Sequence, residues 1–149
     1  ALISFNREHA EQVMPHFGQD ILIASQAKGD LRSPEYIHAR KESLRLASQR
    51  LREALNDEPV DALITVTNGP AWRTDLENGD DFSMGSSTLA AVAGHPNLTL
   101  PMGLVDGLPV GLSIMSRRGS EHLLIQLAYE LERQRDFELE PGFLESLSE

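Results

Sequence analysis

Polar and apolar positions alternate along the chain with two periods, and their changes divide it into elements. The segment "SPEYIHARKESLRLASQRLREALND" has the helical period. Ile37, Leu44, Leu51 and Leu55, with Ala47 and Ala54, form one stripe, and Arg, Lys and Glu fill the other face. Ser33 is placed to cap this helix, and Pro34 takes the first turn, where its missing N–H costs nothing. The segment "SEHLLIQLAYELERQ" repeats the pattern, with Ser120 as cap and Leu123, Leu124, Leu127 and Leu131 facing inward. "VDALITV", Val60 to Val66, is almost continuously apolar and β-branched, which suits a strand buried on both faces. "NLTLP" and "PVGLSIM" read as two further strands, and Asp106-Gly107 between them is a turn pair.

The N-terminal third is less regular. "ISFNREHAEQVMPHF" reads as a helix end and then a short helix, with Asn6 as cap and Pro15 limiting continuation. "QDILIASQAKGD" is a further short helix, from near Asp20 to Gly29. "TNGPAWRTDLENGDDFSMGSS" is a long polar loop between the first strand and a small-residue helix through "TLAAVA". From about residue 136 the chain becomes an acidic tail. Repeats, low-complexity tracts and an internal domain boundary are absent from the sequence, so residues 1–149 read as one unit.

Charge and composition narrow the functional classes. The net charge of −10 repels phosphate backbones and anionic lipid, so neither a nucleic acid nor a membrane surface is an expected partner. No apolar run approaches the ~20 residues of a membrane span. With no cysteine, disulfides and thiolate chemistry are excluded, and the compartment stays open between cytoplasm and bacterial periplasm. The five histidines lack zinc-motif spacing, so neither a metal nor a cofactor is expected; His95 reads as a loop histidine bonded to backbone.

Gly85-Ser86-Ser87 raises the question of a serine nucleophile. A nucleophile elbow requires glycine at position 89, where Leu89 stands, and neither Lys28 nor Lys41 has reason to meet Ser86. On spacing, Ser86, Ser87 or Thr88 caps the helix that follows. Trp72 follows a strand in a Gly-Pro loop, where it serves either a binding site or loop packing. Asp75, Asp80 and Asp81 are candidate bases, but acids in "DLENGDD" more often cap and turn.

The stretch "AAVAGHPNLTLPMGLVDGLPVGLSIMSRRGSEHLLIQLAYELE" resembles the C-terminal region of amidase signature enzymes. Ala93, Gly94 and Pro96 match that family's A-G-x-P step, and Pro101 and Gly103 its P-x-G strand end. Gly107 to Gly111 match its G-L-P-V-G strand, and Ser120, Glu121, Leu123 and Leu124 its S-E-x-x-L-L helix. Upstream, "ISFNREHAEQVMPHFGQDIL" and "DALITVTNGPAWRTDL" resemble the branch that contains peptide amidases, and the resemblance reaches from Ala1 to about Arg135.

The resemblance implies an α/β fold: the C-terminal part of the amidase signature fold, a mixed β-sheet covered by α-helices. It implies amide hydrolysis by a serine nucleophile, a bridging serine in a cis peptide and a lysine base. All three belong to an upstream signature region, so no catalytic residue is expected in this chain, and a small amide or peptide amide is the substrate of the whole enzyme. The loop from Asn68 to Ser87 falls near the substrate wall, with Asn68, Trp72, Asp75 and Ser86 as candidate substrate-binding residues. Self-association through an exposed sheet edge is a further expectation. The alternative is a non-catalytic binding or assembly module built on an amidase half-fold; amidotransferase A subunits use the same fold inside complexes.

Overall fold

The computed structural model describes residues 1–57 and 59–136; the acidic tail expected from residue 136 falls, beyond that residue, outside them. The chain runs α1 (Leu2–Glu8), α2 (Ala10–Val13), α3 (Asp20–Gln26), α4 (Pro34–Asn56), β1 (Leu63–Val66), α5 (Ser87–Ala93), β2 (Asn97–Val105), β3 (Leu108–Met115) and α6 (Glu121–Gln134). The sheet order is β1-β3-β2, and both pairs are antiparallel, so among the described residues the mixed sheet is represented by antiparallel pairs.

The β2–β3 hairpin turns in two residues. Asp106 and Gly107 both have positive φ, 51° and 79°, the type I′ geometry whose twist matches that of the flanking strands. A bulge between Pro101 and Gly103 absorbs a proline that cannot donate to the ladder.

Helices cover both faces of the sheet. On one, Ala47 and Leu51 of α4, with Ala90 and Ala93 of α5, pack on Met115 and Leu63. Alanine at three of these contacts lets the two helices approach closely. On the other, Leu124 and Ala128 of α6 pack on Leu100 and Ile114. Full burial of a leucine such as Leu51 contributes roughly 1.5–3 kcal/mol. Ser33 caps α4 as expected, its Oγ accepting from the Tyr36 N–H at 3.3 Å.

Several expectations are corrected. β1 buries none of its residues, and Ile64 is 68% exposed, because α6 does not extend over the sheet at this edge strand. The N-terminal half of the α4 stripe, Ile37 and Leu44, is also exposed, as is Ala54; only Ala47, Leu51 and Leu55 are buried. In α6, Leu124 and Ala128 are buried while Leu131 is exposed, lying at the thinner hairpin end of the sheet. Asn6 lies inside α1 rather than capping a helix, and its side chain donates to Gln19 Oε1 at 3.2 Å. Ser120 stands at the start of α6, but its hydroxyl donates to the Arg117 carbonyl and in that orientation accepts from no helix N–H.

Candidate functional site

The chain leaves β1 into the long loop and returns to α5 beside its own exit. Asn68 and Gly85 form an isolated antiparallel bridge, and the Ser86 N–H donates to the Thr67 carbonyl at 3.0 Å. These bonds close a neck at the base of the loop. Gly85 fits closely there, since a Cβ would stand 2.9 Å from Asn68 Oδ1 and 2.9 Å from the Phe82 ring, and one of these side chains would have to shift. Asn68 and Ser86 are therefore brought together at the neck.

Ser86 occupies the position preceding α5, yet its side chain does not cap the helix. Its Oγ instead donates to the Thr67 carbonyl at 3.2 Å, which corrects the capping expectation for this residue. A hydroxyl proton given to a backbone carbonyl reaches no base, so the bond ties the loop and does not activate a nucleophile.

Trp72 and Asp75 lie farther out, in the body of the loop. Asp75 Oδ1 accepts from the N–H groups of Glu77 and Asn78 at 2.8 and 2.9 Å, and Oδ2 from the Asn78 amide at 2.8 Å. The Asn78 side-chain amide, then the two backbone N–H groups, hold the Asp75 carboxyl below the usual range. That is the turn-forming role, and a carboxylate so held is a weak base. The Trp72 indole N–H donates to Asp80 Oδ1 at 3.2 Å, and its ring meets Phe82 edge-on at 5.9 Å. Trp72, Arg73, Asp75, Asn78 and Asp80 border an open hollow of about 540 Å³. The four candidate residues thus fall into two pairs, one at the neck and one at the hollow, rather than converging on one point.

Beneath the neck lies a hydroxyl cluster that sequence reasoning misses. Thr65, Ser113 and Thr99 are direct partners across β1, β3 and β2, so their side chains share a face. Ser113 Oγ lies 2.9 Å from Thr67 Oγ1 and 3.3 Å from Thr99 Oγ1. Ser113 itself has no exposed surface. Gly111 makes room for the cluster, because a Cβ there would come within 2.8 Å of both Thr67 Oγ1 and Thr99 Cγ2. The only signal in the sequence is the hydroxyl residues that interrupt "DALITVT", "NLTLP" and "GLSIM", two in the first and one in each of the others; linking them requires the register.

His95 behaves as expected, with Nδ1 bonded to the Ser116 carbonyl at 2.9 Å. Among the described residues, no group of three or more His, Cys, Asp or Glu side chains is placed to hold a metal, and no helix is long and apolar enough to cross a membrane.

Comparison with known proteins gives this geometry its relatives. The family described as Amidase matches residues 5–125. The glutamyl-tRNA(Gln) amidotransferase A subunit of Clostridium botulinum (strain Langeland) is 40% identical over 82 residues, covering 52% of this chain and 17% of that protein. Its Pseudomonas aeruginosa (strain LESB58) counterpart is 30% identical over 103 residues, covering 62% and 21%. Among solved structures, peptide amidase PAM, in complex with the competitive inhibitor chymostatin, superposes with a TM-score of 0.85 at 46% identity. The match covers 89% of this chain and 27% of that one. Native peptide amidase from Stenotrophomonas maltophilia gives 0.81 at 43%, with the same coverage. The chain spans about a fifth of the length of these curated relatives and about a quarter of the solved peptide amidases. With strands, hairpin and flanking helices superposing on a peptide amidase and the family match running from residue 5 to residue 125, the chain belongs to the amidase signature family.

Proposed function

We propose that this chain is the C-terminal part of an amidase that hydrolyses linear amides, peptide amides among them, and that it supplies sheet, covering helices and part of the substrate wall. The observation that carries this reading is the superposition of 89% of the chain on about a quarter of a peptide amidase. The serine nucleophile, the bridging serine and the lysine base lie, on this reading, in sequence upstream of Ala1. The Asn68–Ser87 loop forms the wall: its neck fixes the loop base, and Trp72 offers an apolar face about 39% exposed beside the Asp80 carboxylate. An aromatic face with an adjacent acceptor suits a peptide side chain and its backbone amide.

A second reading keeps the fold without the chemistry. The match to the amidotransferase A subunits favours a chain that works as one piece of an assembly. Hydrolysis assays separate active from inactive. The purified chain, incubated with peptide amides and aryl amides, is expected to show background release only. Turnover that disappears in Ser86→Ala or Ser87→Ala would overturn the reading and place a nucleophile within this chain.

A further inference from the structure

The most unusual electrostatic feature of the molecule lies away from the loop. In a chain of net charge −10, Arg52, Arg117, Arg118 and His95 border one pocket of about 470 Å³, and among the described residues no Asp or Glu is in its walls. The pocket sits where α4 and α5 both end, against the turn between β3 and α6. Ser48 adds a hydroxyl from α4, and buried Leu55 and Ala93 make an apolar floor.

The basic groups differ in what already occupies them. Arg117 is tied down: it donates to the Leu55 carbonyl at 2.8 Å, to Val60 O at 2.9 Å and to Asn56 Oδ1 at 3.2 Å. It thereby closes the C-terminal end of α4 and stands rigid at the pocket wall. Arg118 extends over Gly94, where its Nη2 would lie 3.6 Å from a Cβ at that residue. Arg52 lies in the field of Glu53, whose carboxylate accepts from Gln49 and Arg50 instead. His95 Nδ1 is bonded to a carbonyl, so Nδ1 carries the hydrogen and Nε2 is the ring's second polar atom.

Charge neutralisation by the helix ends does not use up this set. Each helix C-terminus carries roughly half a negative charge, so two of them offset about one of three guanidinium charges. Glu53, beside Arg52, and Asp57, next to the pocket-lining Asn56, offset part of the rest, and carboxylates farther than about 8 Å are screened at physiological salt. We propose that this pocket binds a phosphate group carried by a small molecule, held by the Arg52 and Arg118 forks against the fixed Arg117, with Ser48 and His95 completing the polar wall. Guanidinium forks match phosphate oxygens two at a time, whereas a single carboxylate cannot engage three of them.

The test is a titration of the purified 149-residue chain with inorganic phosphate at constant ionic strength, followed by NMR at His95 and Arg118. Saturable shifts at both are expected, with sodium acetate at the same ionic strength giving none that saturate. R52A/R118A removes two exposed side chains that carry no core packing and is expected to weaken phosphate binding by about tenfold or more. R50A, whose guanidinium pairs with Glu53, is expected to leave it unchanged. Equal binding by R52A/R118A, equally tight acetate binding, or no saturable shift would each overturn the assignment.

Discussion

Individual hydroxyls carry much of the connectivity in this chain. Ser116 is buried and donates to the Asp61 carbonyl, tying the end of β3 to the approach to β1. Ser116→Ala removes this part-buried hydrogen bond, and unfolding in urea is expected to show a loss of about 0.5–1.5 kcal/mol. Asp75 gives a second residue-level test. Its folded pKa is depressed, so its hydrogen bonds support the loop at pH values above about 3.9, the value of an unstructured aspartate. This support is lost as pH falls through the lower folded value. Protection of the Glu77 and Asn78 N–H groups from exchange, relative to an unstructured peptide at the same pH, is therefore expected to fall on acidification below that range, and Asp75→Ala should abolish the pH step. Protection that persists in Asp75→Ala would show that these N–H groups have other acceptors.

Elements whose signals are local are readable from sequence, and elements that depend on distant partners are not. Ser33-Pro34 announces α4 because cap and first turn are chemistry within three residues. Asp106-Gly107 announces the hairpin for the same reason, since both residues must adopt positive φ. Ser86 and Ser120 look like the same kind of cap, but each hydroxyl finds a nearby carbonyl instead, Thr67 O and Arg117 O. Composition cannot distinguish those outcomes. β1 departs from expectation for another reason: "LITV" has the apolar content of a buried strand, but its burial depends on what covers it. At the candidate site, the turn role of Asp75 can be read, whereas the Thr67–Thr99–Ser113 cluster cannot. Those three residues lie 14 to 46 positions apart and meet only through strand register.

At the scale of the whole molecule, the exposed apolar surface demands an explanation. α1, α2 and α3 bury none of their residues, and Phe5, Phe17 and Ile21 are exposed, Ile21 by 82%. β1 presents an open strand edge with Ile64 standing out from it. Such surface drives association, and the −10 charge opposes but does not prevent it. Sedimentation at several concentrations is expected to show association that weakens in Ile64→Lys, which charges the strand edge without touching the core. A clean monomer that binds no apolar dye would instead mark a self-sufficient module. The decisive measurement is the sequence of the natural transcript across the codon for Ala1. An open frame continuing upstream through a glycine- and serine-rich signature and a lysine is the predicted result. A start codon at this point, with no such signature in frame, would contradict the assignment of this chain as the C-terminal part of an amidase.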